Sequence, residues 1–201
     1  MANWWRLGYL CSARHGAGLS DLLKWKKVME RFLTSVEQAL ADKNWYSALY
    51  MALTLPDVCS SLEATDSKTN GKKFAAWFDT YMKPTYSRTM FGETHVFMTG
   101  DDCYVLRCSA LHQGLADVGH QLAKGVLDKF YFTILPQHRI QTENILHLNV
   151  KMFCEEMVAA VRHWVDDFHK NHPEKAQRLS QLIYIHTESY SVGGVMFCVE
   201  E

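Results

Sequence analysis

The sequence lacks the marks of several large protein classes. No stretch approaches the roughly 20 consecutive apolar residues that an α-helix needs to cross a bilayer, so no membrane association is expected. The six cysteines, Cys11, Cys59, Cys103, Cys108, Cys154 and Cys198, include no Cys-x-x-Cys pair. Without such pairs or dense spacing, neither a zinc site nor a disulfide framework is indicated, and buried cytosolic thiols are the natural reading. An excess of one charge is absent too. The net charge of −1 and pI near 6.8 offer no long-range attraction to nucleic acid or to an anionic surface. No repeat, low-complexity tract or clear linker divides the chain, so one domain is the economical organisation.

What is present is ordinary globular material: 48% hydrophobic and 21% charged residues, enough for a real core. A chain of this size typically buries about 70% of its unfolded surface and needs no staple. Residues 1–20 form an expected N-terminal arm, flexible or separately docked, because Gly16 and Gly18 accompany no helical period. Its apolar residues Trp4, Trp5, Leu7, Tyr9 and Leu10 are interrupted by Arg6 and Gly8 and are too few for a secretory core. A natural start at Met29 is an alternative. Residues 21–201 are expected to be a single, cytoplasmic, mainly α domain.

Apolar residues at Leu22, Trp25, Met29, Phe32, Val36 and Ala39 alternate three and four apart, predicting a helix with Ser20 as its N-cap. A second helix is predicted over 45–62, kinked or divided by Pro56. A polar loop over 65–72 and a short third helix carrying Phe74, Trp77, Phe78 and Tyr81 follow, then a long connection over 87–100. A fourth helix begins near Asp101 with Thr99 as cap and ends before Gly114. Residues 115–128 are read as helical. The runs 130–135 and 145–150, separated by turn-prone residues, predict a small antiparallel hairpin. Met152, Phe153, Met157, Ala160, Val161, Trp164, Val165 and Phe168 predict a long amphipathic helix ending before Pro173. In the tail, 182–186 and 195–199 are positioned to pair across Ser191-Val192-Gly193-Gly194.

The fourth helix carries the sharpest candidate site. Beyond Asp101 and Asp102 in its first turn, its largely apolar body contains two ionisable outliers, Arg107 and His112. Positions five apart differ by ~140° around and ~7.5 Å along a helix. They therefore share no single stripe, yet a long arginine can reach an imidazole at the helix end. Such a pair suits RNA cleavage without a metal, because a histidine can move the proton and an arginine can bind the phosphate as charge develops. A purely structural role is the competing account, with Arg107 paired to Asp101 or Asp102 and His112 favouring the negative end of the helix dipole.

The run Leu106-Arg107-Cys108-Ser109-Ala110-Leu111-His112-Gln113-Gly114 resembles the Arg-x4-6-His signature of the HEPN superfamily. The resemblance covers about nine residues, closing a helix of a mainly helical domain. It implies a HEPN-like helical bundle that dimerises, two Arg/His pairs in a shared cleft, and a metal-independent endoribonuclease in a toxin or anti-phage defence role. Arg107 and His112 would be catalytic, with Asp101, Asp102, Tyr104 and Cys108 as possible support and no cofactor or metal. The implied partners are a second copy, RNA, and an antitoxin or other defence protein. Cys108 stands where the family commonly has a polar residue, which points to the alternative of a non-catalytic module binding nucleotide, RNA or protein. Gln113-Gly114 after His112 argues against the branch carrying His-x-Tyr. A broader resemblance to a bacterial protein family runs from Asp42-Lys43-Asn44-Trp45 to the last long helix and implies no activity.

Other candidates are less specific. His163 and Asp167 lie four apart and would need His169 or His172 to hold a metal, but no third convergent ligand is evident and a solvated polar face is the better reading. His138, Arg139, His147 and His186 would line an RNA path if the hairpin folded over the motif helix. Cys103 and Cys108 flank a cation and are candidate nucleophiles. The sets Trp25/Phe32 and Trp77/Phe78/Tyr81 have the chemistry to stack bases. Helical spacing makes them core first.

Overall fold

The computed structural model describes residues 19–119, 125 and 127–199, with side chains from Lys26 onward. The expected arm therefore lies outside the described residues, apart from residues 19 and 20. These already belong to helix α1 (Leu19–Ala41), so Ser20 is within the helix and not its cap. The buried seam of α1 is Met29, Leu33, Val36 and Leu40, spaced four, three and four as one helical face requires.

Helix α2 (Trp45–Glu63) is capped by the Asn44 side chain, which accepts from the Ser47 N–H, and it continues through Pro56 without dividing. Its buried residues surround it because α1, α3, α4 and α5 all pack against it. Helix α3 (Gly71–Tyr81) starts at Asn70, whose side chain accepts from the Lys73 N–H at 3.0 Å, and buries Phe74, Trp77 and Phe78. These aromatics are core residues, and Tyr81 packs partly buried against Trp77.

The predicted connection over 87–100 contains strands β1 (Ser87–Met90) and β2 (Glu93–Val96), an antiparallel hairpin turned at Phe91 and Gly92, both with positive φ. Most of its side chains are exposed, so it carries no apolar alternation. Helix α4 (Gly100–Gln113) follows and packs on α3. A Cβ on Gly100 would lie 2.2 Å from the Ala75 carbonyl oxygen, and one on Gly71 2.7 Å from the Tyr104 ring. Gly100 lets α4 meet the α3 backbone directly, and Gly71 leaves room for the Tyr104 ring against the start of α3.

Of residues 115–128, expected to be helical, 115–119 instead run beside strand β3 (Lys129–Thr133), while 120–124 and 126 lie outside the described residues. Val118 N–H donates to the Asp128 carbonyl and Phe130 N–H to that of Ala116. Strands β4 (Ile140–Thr142) and β5 (Ile145–Asn149) complete a sheet of order β3-β5-β4. The two predicted runs do pair, but in parallel: Phe130 faces Leu146 and Phe132 faces Leu148. The tight turn at Glu143 and Asn144 is used by β4 and β5, so β3 must reach β5 by a crossover.

Asn149 ends β5 and caps helix α5 (Val150–Asn171) by accepting from the Met152 N–H at 2.9 Å. Phe153, Met157, Val161, Trp164 and Phe168 of α5 are buried in the core against α1 and α2. A 3-10 segment, Pro173–Gln181, returns along α2. There Lys175 and Arg178 donate to the carbonyls of Leu62, Glu63, Ala64 and Thr65, satisfying the end of that helix. In the tail, strand β7 (Val195–Phe197) pairs with β6 (Tyr190–Val192) and not with residues 182–186. Gly193 and Gly194 supply the two positive-φ residues that a tight hairpin needs.

The fold is mainly α, with three small sheets among the described residues. None of the described helices is long and apolar enough to cross a membrane.

Candidate functional site

Helix α4 is pinned at both ends. Thr99 and Asp102 form a reciprocal capping box, and Asp102 also accepts from the Leu127 N–H at 3.0 Å. Gly114 closes the helix at φ 68°, its N–H donating to the Ala110 carbonyl. Between these ends Val105, Leu106, Ser109 and Ala110 are buried, while Tyr104, Cys108 and His112 recur every four residues along one outward stripe.

Arg107 lies beside that stripe and reaches across to α2. Its Nε donates to Asp57 Oδ2 at 2.8 Å, with the two side chains 22% and 15% exposed. Its Nη1 lies 3.3 Å from His112 Nε2 and 4.0 Å from the Cys108 Sγ. A guanidinium has no lone pair to offer, so Nε2 is the acceptor and the neutral imidazole carries its proton on Nδ1. His112 is exposed at the helix end. An acid, a guanidinium and an imidazole are thus joined within one chain.

Electrostatics sharpen this picture. Burial raises the Asp57 carboxyl above its ordinary range, against the opposing pull of Arg107's charge and hydrogen bond. Burial is the largest influence on Arg107 and opposes its charge, but Asp57 and, to a smaller extent, Cys108 together outweigh it, and the guanidinium is held more firmly protonated. Arginine is charged at any ordinary pH, so only the acid's shift has consequences. The Tyr104 phenol is pushed up by its hydrogen bond to Cys108 and by burial, and its ring rests on Phe74 at 5.4 Å.

The structure thus joins Arg107, His112, Tyr104 and Cys108 in one cluster and leaves the two acids of the first turn apart. Asp101 is exposed and Asp102 is buried in the cap. At 1.5 Å per residue they are ~15–17 Å from His112 along the helix. The acid that pairs with Arg107 is Asp57, which the sequence reading did not single out. Its signal was legible: Asp57 is the only charged residue of α2 before Glu63.

Cys103 is fully buried, and burial raises its thiol well above the ordinary range, which removes it as a nucleophile. Cys59 and Cys154 are buried and Cys198 is exposed, while Cys11 lies outside the described residues. The side chain of His138 is enclosed in a second network. Its Nδ1 accepts from the Asn149 N–H at 3.1 Å, so Nε2 is protonated and donates to Glu156 Oε2, also at 3.1 Å. Tyr86 donates to the same oxygen at 2.8 Å. Arg139 donates to the Thr85 carbonyl and lies 3.8 Å from Glu156. His147 stacks on Tyr131 and His186 on Tyr190, so the contacts of these four candidates are with the sheet, α5, the tail and the segment before β1. His163 and Asp167 meet at 3.6 Å, and His172 pairs with Glu174. Among the described residues no three metal-ligating side chains converge. The Trp25 side chain lies outside the described residues, and Phe32 is partly buried against the core.

No family model matches the chain, and neither a curated protein nor a solved structure matches it.

Proposed function

We propose that the chain is a metal-independent endoribonuclease of HEPN type, acting in a toxin or anti-phage defence setting, with Arg107 and His112 as its catalytic pair. One observation carries the reading: the guanidinium of Arg107 and the Nε2 lone pair of His112 meet at 3.3 Å at an exposed helix end. The resemblance of residues 106–114 to the Arg-x4-6-His signature supports it.

In the reaction, the phosphate takes the Nη1 donor of Arg107, and the Nε2 lone pair of His112, freed from that contact, accepts the proton of a ribose 2′-hydroxyl. The 2′-oxygen attacks the adjacent phosphorus, and the bond to the 5′-oxygen breaks. That oxygen leaves with a proton, giving a 2′,3′-cyclic phosphate and a 5′-hydroxyl. Arg107 stabilises the charge gathering on the non-bridging oxygens. One imidazole cannot be base and acid in the same instant, and the His112 of a second copy, in a homodimer, supplies the leaving proton. Side chains alone perform both tasks. Partners of this reading are RNA, a second copy and an antitoxin or defence protein. A non-catalytic module that binds nucleotide, RNA or protein is the second reading, favoured by Asp57, which neutralises the arginine within the chain.

Purified protein incubated with single-stranded RNA in EDTA should produce fragments with cyclic phosphate ends. His112→Ala and Arg107→Ala should abolish them without unfolding the protein. RNA left intact at high enzyme concentration removes the catalytic reading, and RNA bound but uncut selects the second.

A further inference from the structure

Asp57 sits where an acid is poorly tolerated. It lies within an otherwise apolar helix, and its side chain is only 15% exposed. Its carboxyl is raised by burial, so ionising Asp57 is harder in the folded chain than in the unfolded one, and the charge adds no stability at neutral pH. A mid-helix position also gives it no capping or dipole role. What it does have is a 2.8 Å hold on Arg107 Nε. Fixing one nitrogen of a planar fork fixes the plane of the others. Nη1 is thereby set beside His112, and Nη2 takes no hydrogen-bond partner among the described residues. The thiol of Cys108 is a weak acceptor and cannot supply the same anchor.

We infer that Asp57 is the positioning residue of this site, holding Arg107 by Nε so that the outer edge of the guanidinium meets a phosphodiester next to His112. The polar support absent at Cys108 on α4 is provided from α2. The chemistry of this assignment rests on the ribonuclease reading, whereas its geometry does not.

Two variants and two readouts test it. Asp57→Leu removes the acceptor, and Asp57→Asn keeps an acceptor oxygen while removing the charge. In proton–nitrogen NMR spectra, the Arg107 Nε–Hε signal, assigned by its loss in Arg107→Ala, should exchange slowly in wild type and in Asp57→Asn. It should vanish in Asp57→Leu. On a single-stranded RNA oligonucleotide in EDTA, kcat should fall about 10–100-fold in Asp57→Leu, with KM within about threefold, because a misplaced group costs rate more than binding. Asp57→Asn should recover to within about threefold of wild type. Should Asp57→Leu not fold, Asp57→Ala carries the same expectation. A signal that survives unchanged without the acceptor overturns the inference whatever the RNA assay gives, and so does wild-type turnover in Asp57→Leu. If wild type cuts no RNA, the ribonuclease reading fails and the NMR signal alone decides whether Asp57 positions Arg107.

Discussion

The molecule contains two clusters built from the same four kinds of residue. One joins Asp57, Arg107, His112 and Tyr104, and the other joins Glu156, Arg139, His138 and Tyr86. They differ in how fully their polar atoms are used. In the second, both imidazole nitrogens are engaged and the His138 side chain is 3% exposed. Tyr86 is fully buried, its phenol pushed well up by burial and by Glu156. In the first, the imidazole is exposed and only one of its nitrogens, Nε2, is engaged among the described residues. A saturated network fastens elements together, here the segment before β1 and the one before β4 to the end of β5 and to α5. An unsaturated one keeps capacity for a ligand. Residue type alone would not have separated them.

The comparison can be broken most severely at Arg107. Arg107→Lys keeps a positive charge but loses the fork that serves Asp57 and a phosphate together. It should lower RNA cleavage about 10²–10³-fold with little change in melting temperature, and activity near wild type would break the account of the site.

In the second cluster the damage should fall on the fold. Glu156→Ala strands the Tyr86 hydroxyl and the His138 Nε2 proton, a loss of about 2–4 kcal/mol in chemical denaturation, since each stranded buried group costs about 1–3 kcal/mol. Activity per folded molecule should be unchanged. Gly100→Ala should cost about 1–3 kcal/mol, because the new methyl meets the α3 backbone. A neutral result there would mean that α4 is held less closely than the distances indicate.

The smallest effect is a pH dependence. A carboxyl raised in the folded state stabilises below its unfolded value, and that contribution is lost as pH rises through the folded value. Asp57→Asn mimics the protonated acid, so it should match or slightly exceed wild-type stability at pH 7. The difference should shrink towards zero as acid protonates Asp57, as measured by melting curves from pH 7 downward. A variant markedly less stable at pH 7 would show that the ion pair holds the fold.

Much of the helical frame was legible from periodicity and caps, because one buried stripe per helix imposes its period whatever the neighbours do. Thr99 and Gly114 bounded the motif helix correctly for that reason. Strand direction was not legible. The runs at Phe130 and Leu146 have the same pattern whether they meet parallel or antiparallel, and only the use of Glu143 and Asn144 as a turn decides. The β1–β2 hairpin escaped because two exposed faces impose no alternation. At the site, Arg107 and His112 were visible as charges in an apolar helix, and their contact depends on side-chain reach. Asp57 was visible on the same grounds, but Pro56 drew the reading to helix breaking. Asp57 and Arg107, the full charges of opposite sign within the bodies of α2 and α4 away from their end turns, were already an indication of a pair.

The central claim is that one histidine cluster is reactive and the other structural. The most direct test compares His112→Ala and His138→Ala on single-stranded RNA in EDTA, with rates normalised to the folded fraction. The account predicts a loss of about 10²–10⁴-fold for His112→Ala with an unchanged melting temperature. His138→Ala should be less stable and as active as wild type per folded molecule. Equal activity in wild type and His112→Ala, or a loss confined to His138→Ala, would contradict it.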